Sequence, residues 1–283
     1  MKYFISGATG SIGSMIVDYL AEKKQDVKGL THSEFRTFEA QQKTRCGSLE
    51  KRLNVDYVIG DIRDKDKLEF EMRGYDIVIH CAALKHVYLC YENAIESVKT
   101  NIIGTQNIIE AAIKTGIKKV ILISTDKAVN PISVMGATKF IAERLILSAN
   151  NNGKTKFSVV RLGNVEGTSG SVIPIFEKQI REGGPVTVTH PEMTRFMMHP
   201  LDVVRLIFKA LGMMEGGEIF VPKMDEIKIL DMAKKMIERR EQLIPTEIKI
   251  VITGMKPGEK IHEELLTPSE RYKAKETKDM WII

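Results

Sequence analysis

The chain has 283 residues, with 42 basic and 37 acidic side chains and a formal net charge of +5. This mild excess is spread along the chain, so it suits anionic small molecules better than nucleic acid, and no apolar run approaches membrane-spanning length. Cys46, Cys81 and Cys90 show no metal-binding or redox spacing, which predicts reduced thiols in a cytoplasmic protein and no metal site.

The residues before 164 alternate short apolar runs with amphipathic helical patterns. The strand-like runs are KYFIS, DVKGLT, VDYVIGD, DIVIHCAA, KKVILIST and KFSVVRLGNV. The helical patterns are SIGSMIVDYLAEK, SVKTNIIGTQNIIEAAIKTG and GATKFIAERLILSAN. Such alternation predicts βαβ units and a parallel sheet covered on both faces, and right-handed crossovers then give a doubly wound α/β fold.

After residue 164 the pattern becomes less regular. SVIPIFEKQIREGG, PLDVVRLIFKALG and IKILDMAKKMIERR read as helices, and KPGEKIHEELLT reads as a turn into a helix. PVTVT, EIFVPK and IKIVIT read as short strands. We predict a Rossmann domain from 1–163 plus about 196–222, and a smaller, discontinuous α/β substrate-binding domain from about 164–195 plus 223–283.

A glycine-rich loop, GATGSIG, follows the first strand directly and opens the first helix. In G-x-x-G-x-x-G the first glycine allows a tight turn, and the second lets the backbone approach a pyrophosphate. The third glycine permits close helix–strand packing, and the helix N-terminus supplies N–H groups to the anion. We predict dinucleotide contacts from Gly7, Thr9, Gly10, Ser11, Ile12 and Gly13.

The second strand ends in Thr31, followed by Ser33 and Arg36, and the strand end itself carries no carboxylate. NAD-dependent enzymes usually place an acid there for the ribose 2′-hydroxyl, whereas hydroxyl and guanidinium groups suit a 2′-phosphate. The sequence therefore favours NADP over NAD, with Arg36 as an ordinary surface residue as the alternative. Asp61, after the third strand, is placed either to meet the adenine or to cap the next helix.

Proton-carrying side chains cluster after the strand KKVILIST. Met135 and Lys139 are four residues apart and so share one helix face. Methionine has no proton to exchange, so either the protein is not a catalyst or another group acts as the base. Thr125, Asp126 and Lys127 stand at the carboxyl end of the strand, where open α/β sheets bind ligands, and an Asp–Lys pair can supply an acid and a base. The alternatives are a turn or cap for Asp126, a solvated helix lysine for Lys139 and a packing role for Met135.

Eight motifs in this order, GATGSIG, CAALKHV, TNIIGTQN, STDKA, MGATK, RLGNV, MTRF and KPGEK, span nearly the whole chain. Together they resemble the extended short-chain dehydrogenase/reductases that act on nucleotide sugars. More narrowly, the chain resembles the C5-inverting UDP-N-acetylglucosamine 4,6-dehydratases. Most of those enzymes have tyrosine at the position of Met135, and a subset has methionine. The exo-glycal-forming UDP-GlcNAc 5,6-dehydratases are also similar.

The resemblance implies roles for individual residues. Asp126 and Lys127 would act in loss of the C6 hydroxyl and the C5 proton, and Ser124 and Thr125 would contact the C4 hydroxyl. The C4 proton would leave through Thr125, water and Lys139. The remaining expected contacts are Lys85 with substrate, Asn101 with a water chain, and Asp61, Ile62, Ala82, Ala83, Asn101 and Lys139 with the cofactor.

Four polar residues in the later motifs match a clamp for a UDP-sugar. Arg195 and Lys256 offer cations to the pyrophosphate, Glu259 an acceptor for ribose or uracil, and Asn164 a neutral donor. Many similar proteins have arginine at the position of Lys256. Lysine keeps the charge there but loses the bidentate geometry. Each residue alone also fits an ordinary surface position.

The leading hypothesis is a UDP-N-acetylglucosamine 4,6-dehydratase that removes water by internal hydride transfer through bound NADP, for surface polysaccharide or glycan synthesis. The alternatives are a 5,6-dehydratase and a non-catalytic NADP-binding regulator. A simple 4-epimerase is disfavoured because it has no use for the Asp126–Lys127 pair. We expect a homo-oligomer that binds a UDP-sugar and neither nucleic acid nor membrane.

Overall fold

A computed structural model describes residues 1–46, 54–168, 170–241 and 247–283. Its main feature is a nine-stranded sheet. In spatial order the strands are β3 (Val55–Ile59), β2 (Asp26–Thr31), β1 (Lys2–Ser6), β4 (Ile77–His80), β5 (Lys119–Thr125), β6 (Lys156–Leu162), β10 (Ile219–Pro222), β14 (Met280–Ile282) and β13 (Lys275–Glu276).

The order β3-β2-β1-β4-β5-β6 is that of a dinucleotide-binding Rossmann sheet, and all six strands are parallel. The connections reverse direction between β1 and β4. In such sheets the ligand crevice opens at the carboxyl ends of the strands, at this point of reversal. The predicted doubly wound α/β fold is therefore confirmed.

Helices cover both faces of the sheet. They are α1 (Ser11–Glu22), α2 (Glu34–Cys46), α3 (Lys65–Glu71), α4 (Val87–Glu92), α5 (Ala94–Ser97), α6 (Gly104–Thr115), α7 (Val134–Ser148), α8 (Val172–Arg181), α9 (Pro200–Met213), α10 (Ile229–Glu241) and α11 (Pro268–Lys273). One core packs α1 and α9 on the sheet through Ile16, Leu20 and Ile207. The other packs α6 and α7 through Ile108 and Ile146. Burial of each such side chain contributes about 1.5–3 kcal/mol.

Two small sheets lie outside the main one. β7 (Asn164–Val165) pairs with β9 (Thr194–Met198), which pairs with β11 (Asp225–Lys228). β8 (Val186–Val188) runs parallel to β12 (Ile250–Ile252). A third core joins α8, α10 and β8 around Phe176, Ile237 and Val186.

The C-terminal strands differ from the sequence prediction. β14 pairs antiparallel with β10, and β13 pairs with β14, so residues after 275 extend the large sheet. They were expected in the smaller domain, whose predicted range is 223–283. Conversely, β9 begins at Thr194 and lies in a small sheet. Of the range 196–222 that was predicted for the Rossmann domain, only the part from α9 onward therefore returns to the main sheet. The remaining division into two domains stays a proposal.

The helix expected within KPGEKIHEELLT is also wrong. Every residue of this stretch is described, and none is helical before α11 begins at Pro268. The carbonyl oxygens of Ile261 and Leu265 accept hydrogen bonds from Arg195 and Arg161, so neither is available to a helical ladder. Thr267 is the N-cap of α11, and its capping box with Glu270 supplies hydrogen-bond partners to the first turn of the helix.

Two further sequence predictions concern cysteines and the membrane. Cys81 and Cys90 are free thiols, and burial raises the pKa of Cys81 to about 12. The side chain of Cys46 lies outside the described residues. Within the described ranges, no helix combines the length and apolar character needed to cross a bilayer.

A buried arginine joins three parts of the fold. Arg161 on β6 is 1% exposed. Its guanidinium lies 2.8 Å from Glu143 of α7 and 3.0 Å from Glu270 of α11, and it donates to the Leu265 carbonyl oxygen at 3.0 Å. Burial opposes the charge of Arg161, yet the two carboxylates hold its pKa above the usual value. The C-terminal segment is thereby anchored to β6 and α7.

Replacement of Arg161 by methionine should lower the free energy of unfolding by about 3–5 kcal/mol, because it leaves buried carboxylates without their partner. Urea denaturation measures the loss. The control is Arg205→Met, which breaks an exposed pair with Asp202 and should cost less than about 1 kcal/mol. Equal losses in the two variants would contradict the anchoring role.

Candidate functional site

The glycine loop has the geometry of a phosphate cradle. Gly7 has a φ of +69°, and a Cβ there would lie 2.8 Å from the Ala82 backbone. A Cβ on Gly13 would lie 2.2 Å from the Gly7 carbonyl oxygen. Gly10 precedes α1 and has no side chain to cap it. Both close approaches require glycine, and the positive end of α1 faces the crevice between β1 and β4, which fits a dinucleotide pyrophosphate.

Hydroxyl groups line the carboxyl end of β2. Thr9 Oγ1 lies 2.9 Å from Thr31 Oγ1, and Ser33 N donates to Thr31 Oγ1 at 3.3 Å. Ser33 Oγ accepts from Arg36 N at 3.3 Å, so Ser33 sits at the start of α2 and the Arg36 side chain is exposed. Glu34, the first residue of α2, places one exposed carboxylate beside this set.

Asp61 follows β3 but does not cap the next helix. Its Oδ1 accepts from Arg63 N at 2.9 Å, and its Oδ2 accepts from the Arg63 guanidinium at 2.7 Å. Hydrogen bonding to Arg63 holds the pKa of Asp61 below its usual value. Asp64 is the residue that caps α3, by accepting from Lys67 N at 3.0 Å. The capping alternative is therefore wrong, and the adenine contact stays a prediction.

Other predicted cofactor contacts lie around the same crevice. Ile62 is buried against Gly104, where a Cβ would come within 2.5 Å of Ile62 Cδ1. Ala82 and Ala83 follow β4 directly and are half-buried. Their position at the reversal point agrees with the prediction and leaves the contact itself untested.

Asn101 lies in a π-helical turn, Val98–Ile103, where the sequence suggested a regular helix. Its Oδ1 accepts from Leu84 N at 2.8 Å, and its Nδ2 donates to Leu84 O and to Thr138 Oγ1, both at 3.0 Å. The side chain thus joins the loop after β4 to α7. Its predicted role in a water chain stays a prediction.

Lys139 is buried, so the alternative of a solvated helix lysine is wrong. Its Nζ donates to the Ile123 carbonyl oxygen at 2.7 Å. Burial lowers the pKa of Lys139 to about 8, although the carboxylate of Glu143 acts in the opposite direction. Met135, one turn earlier on α7, is 3% exposed.

Asp126 and Lys127 form an ion pair in a short 3₁₀ turn after β5. Lys127 Nζ donates to Asp126 Oδ1 at 2.9 Å and to Asn164 Oδ1 at 3.1 Å. Thr125 Oγ1 donates to the same Asp126 oxygen at 2.9 Å. Asp126 is fully buried, and its Oδ2 lacks a hydrogen-bond partner among the described residues. The turn is capped by Thr125 and not by Asp126, so the capping alternative for Asp126 is wrong.

Ser124 is engaged on the opposite side of β5 from the ligand crevice. Its Oγ donates to Glu143 Oε1 at 2.6 Å, within the Arg161 network. Side chains of successive residues in a strand point to opposite faces of the sheet. The side chain of Thr125, and not that of Ser124, therefore points toward Asp126 and Lys127. Ser124 therefore supports α7, and its predicted contact with the C4 hydroxyl lacks support here.

The four residues predicted to clamp the UDP-sugar differ in burial and in hydrogen-bond partners. Asn164 reaches Lys127 through its carbonyl oxygen. Arg195 is buried and donates from Nη1 to Thr194 O at 2.6 Å and Ile261 O at 3.1 Å. Lys256 is exposed, and Glu259 Oε2 accepts from the Lys256 backbone N–H at 2.9 Å. Their contact with a nucleotide stays a prediction.

Lys85 lies in the loop after β4, next to His86. Partial desolvation of its ammonium and the charge of Arg36 lower the pKa of Lys85. Two cations that repel each other across the crevice favour an anionic ligand between them.

Sequence reasoning missed Glu263 and Lys260. Glu263 Oε1 lies 3.5 Å from Lys127 Nζ, and Lys260 Nζ lies 3.7 Å from Glu263 Oε2. Both lie in the stretch that was read as a turn into a helix. The available signal was the KPGEK motif, which ends at Lys260, three residues before Glu263.

A family model described as "Polysaccharide biosynthesis protein" matches residues 3–283. The chain is 46% identical to an uncharacterized membrane protein of Methanocaldococcus jannaschii, over 99% of the chain and 84% of that protein. It is 38% identical to a UDP-N-acetylglucosamine 4,6-dehydratase (inverting) of Campylobacter jejuni, over 99% and 81%. It spans 45% of the length of two relatives from Bacillus subtilis and Staphylococcus aureus.

Other relatives include a UDP-glucose 4-epimerase of Rickettsia canadensis, 35% identical over 99% of this chain and 81% of that protein. Among solved structures, Pen from Bacillus thuringiensis superposes with a TM-score of 0.94 at 43% identity, covering 100% of this chain and 87% of that chain.

The buried Lys139 should give stability a specific pH dependence. Its pKa is about 8 when folded and about 10.5 when unfolded, so between these values the unfolded chain binds more protons. The Lys139 contribution therefore rises as pH increases from about 8 to about 10.5, by roughly 3 kcal/mol. Denaturation of Lys139→Met across this range should show a flatter profile than wild type. The exposed Lys154→Met should retain the wild-type slope, and a wild-type slope in Lys139→Met would contradict the assignment.

Proposed function

Since the chain belongs to the polysaccharide biosynthesis protein family, we propose that it is a C5-inverting UDP-N-acetylglucosamine 4,6-dehydratase. The observation that carries the proposal is the Asp126–Lys127 pair, held at 2.9 Å at the carboxyl end of β5. Loss of water across C5 and C6 requires a base that removes the C5 proton and an acid that protonates the C6 hydroxyl. An Asp–Lys pair at the ligand edge of the sheet supplies both.

The glycine cradle and the end of β2 would hold NADP. When bound, this cofactor would accept a hydride from C4 of the sugar and return it at C6, so it ends oxidised as it began. C5 would take up a proton on the face opposite to the one that lost it, which completes the balance and inverts C5. The chain has to place the sugar beside β5, manage three protons and exclude water.

The C4 hydroxyl proton is the first that must leave. Thr125 is the hydroxyl residue at the end of β5, and the buried amine of Lys139 donates to the carbonyl oxygen of Ile123, two residues earlier on the same strand. Because its pKa is about 8, a fraction of Lys139 is neutral near neutral pH and can accept a proton through Thr125 and water.

The C5 proton and the C6 hydroxyl are handled by Lys127 and Asp126. The C4 ketone acidifies C5, and neutral Lys127 removes that proton. Protonated Asp126 gives its proton to the C6 hydroxyl, which leaves as water. Transfer of one proton from Lys127 to Asp126 converts the ion pair into this acid and base, and Asp126 Oδ2 has no other partner among the described residues.

Met135 motivates a second candidate, the 5,6-dehydratase. A buried thioether in place of a phenol leaves the C4 oxygen without a second proton donor. That change alters how C4 and C6 compete for the returning hydride, and return to C4 would give an exocyclic alkene. A 4-epimerase has no use for Asp126 and Lys127, and a regulator has no use for the three proton carriers Asp126, Lys127 and Lys139.

The predicted UDP clamp consists of Arg195, Lys256, Glu259 and Asn164. Support for it comes from the position of the KPGEK turn, which packs on the start of α7 through Gly258. A Cβ there would lie 2.8 Å from Ser133 Cβ. This contact sets the turn that carries Lys256 and Glu259 against the start of α7, which supports the proposed clamp.

Incubation with UDP-GlcNAc in deuterated water should yield UDP-4-keto-6-deoxy-HexNAc with inverted, deuterated C5, as read by NMR. Lys127→Ala should abolish deuterium exchange at C5 while cofactor binding survives, because Lys127 is outside the cradle. An alkene product identifies the 5,6-dehydratase, and a C4 epimer identifies an epimerase. Absence of turnover in wild type, with cofactor bound, supports the regulator.

Cofactor choice is a separate expectation. NADP(H) should bind more tightly than NAD(H), and Arg36→Ala should narrow the difference by about tenfold, because a charge-assisted hydrogen bond contributes roughly 1.5–3 kcal/mol. Isothermal titration calorimetry measures both affinities. Lys43→Ala, a cation elsewhere on α2 that pairs with Asp18, is the control. Equal affinities of the wild-type protein for NADP(H) and NAD(H) would show that Glu34 and Arg36 do not discriminate between the two cofactors.

A further inference from the structure

The ammonium of Lys127 has one more anionic partner than the motifs indicate. It donates hydrogen bonds to Asp126 Oδ1 at 2.9 Å and Asn164 Oδ1 at 3.1 Å, and Glu263 Oε1 forms an ion pair with it at 3.5 Å. Oxygens from three separate segments therefore surround the amine. Together they restrict the rotation of the amine as well as its position.

Glu263 is buried and lies among charges of both signs. Its side chain is 3% exposed, and a carboxylate so buried needs cationic partners. Lys127 faces one oxygen and Lys260 the other, and Lys260 Nζ also donates to the Val129 carbonyl oxygen at 2.7 Å. With Asp126, the cluster contains two acids and two amines, and its formal charges cancel.

Two oxygens of this cluster lack hydrogen-bond partners. Among the described residues only three buried side-chain oxygens do, and Asp126 Oδ2 and Glu263 Oε2 are two of them. Native proteins rarely leave such atoms unpaired outside functional sites. Both oxygens belong to carboxylates that contact Lys127, which indicates that the cluster is arranged for function.

Two contacts fix the segment 256–263, which ends at Glu263. Gly258, with a φ of +81°, lets the KPGEK turn approach Ser133 and Val87. Arg195 donates to the carbonyl oxygen of Ile261, two residues before Glu263. The segment predicted to contact the nucleotide therefore also presents the carboxylate to Lys127.

We propose that Glu263 is a positioning residue of the active site: it holds the Lys127 amine against Asp126 and Asn164 and so sets its approach to the sugar. The catalytic part of this inference rests on the proposed function, in which Lys127 is the base at C5. The positional part depends only on the contacts of Glu263. Removal of the carboxylate leaves Asp126 alone facing two ammonium groups.

The kinetic test compares Glu263→Gln with Glu264→Gln, an exposed neighbour that accepts from Asn130. Glu263→Gln should lower kcat roughly ten- to a hundredfold, since small displacements of a catalytic group have effects of that size. KM for the UDP-sugar should not rise, because the lost group is an anion that makes no predicted contact with it. Glu263→Asp should recover part of kcat, and Glu264→Gln should match wild type.

A second readout does not depend on activity. Acetylation of Lys127 by acetic anhydride, followed by peptide mass spectrometry with Lys154 as internal reference, should be several-fold faster in Glu263→Gln than in wild type. The reason is that loss of one of its two carboxylate partners leaves the Lys127 amine held by Asp126 and Asn164 alone, so it moves more freely and meets the reagent more often. Glu264→Gln should label as wild type does, and thermal unfolding of each variant verifies that it is folded.

The outcomes separate the two proposals. If wild type does not convert UDP-GlcNAc, the proposed function fails, and the labelling of Lys127 alone decides whether Glu263 positions it. If labelling is unchanged in folded Glu263→Gln, the positioning role is overturned whatever happens to kcat. If labelling rises while kcat stays at the wild-type value, Glu263 holds Lys127 without consequence for catalysis, which also overturns the proposal.

Discussion

The buried ion pair between Arg161 and Glu143 is the interaction on which the rest of the site depends. It joins β6 to α7, the helix that carries Met135 and Lys139. Because Arg161 also binds Glu270 and the Leu265 carbonyl oxygen, the same guanidinium fixes the end of the segment that contains Glu263. A buried arginine is costly to desolvate, so it persists only where several acceptors surround it. Here those acceptors belong to the parts of the chain that must be held together around the ligand crevice.

Close backbone contacts assemble the other side of the site. Gly7 lies against Ala82 at the reversal point of the sheet, and Gly258 lies against Ser133 at the start of α7. Gly170 makes a similar approach to His86, where a Cβ would come within 2.4 Å of the imidazole. In each case a side chain would separate a loop from the element it covers. Glycine at these places thus determines how closely the loops enclose the crevice between the sheet and the smaller elements.

The sequence predicted what depends on local pattern. The βαβ periodicity gave the Rossmann sheet, and the position of GATGSIG after the first strand gave the phosphate cradle. The carboxyl end of β5 gave Thr125, Asp126 and Lys127, because ligand sites in parallel sheets form at that edge. These features follow from strand order and strand direction alone, and both can be read from hydrophobic periodicity.

What the sequence did not predict depends on contacts between distant segments. KIHEELL has the apolar spacing of an amphipathic helix, but Arg161 and Arg195 bind its carbonyl oxygens and hold it irregular. Nothing in that helical reading indicated that Glu263 lies 3.5 Å from Lys127. The hydrogen bond of Ser124 was not predicted for a related reason, because its partner Glu143 lies nineteen positions away on α7. Neither partner can be identified from spacing within one element.

The charges of the site explain what a methionine at position 135 changes compared with a tyrosine. A tyrosine there would place an acidic hydroxyl beside Lys139, whose pKa burial already lowers to about 8. With a thioether, no anion forms next to that amine, so Lys139 stays easier to deprotonate and acts without a partner. In the proposed reaction, proton transfer at C5 and C6 would belong to a second, electrically balanced group: Asp126, Lys127, Lys260 and Glu263. The two tasks would then be separated between a buried amine on α7 and a paired cluster after β5, so a methionine in place of the phenol would affect the first task and leave the second intact.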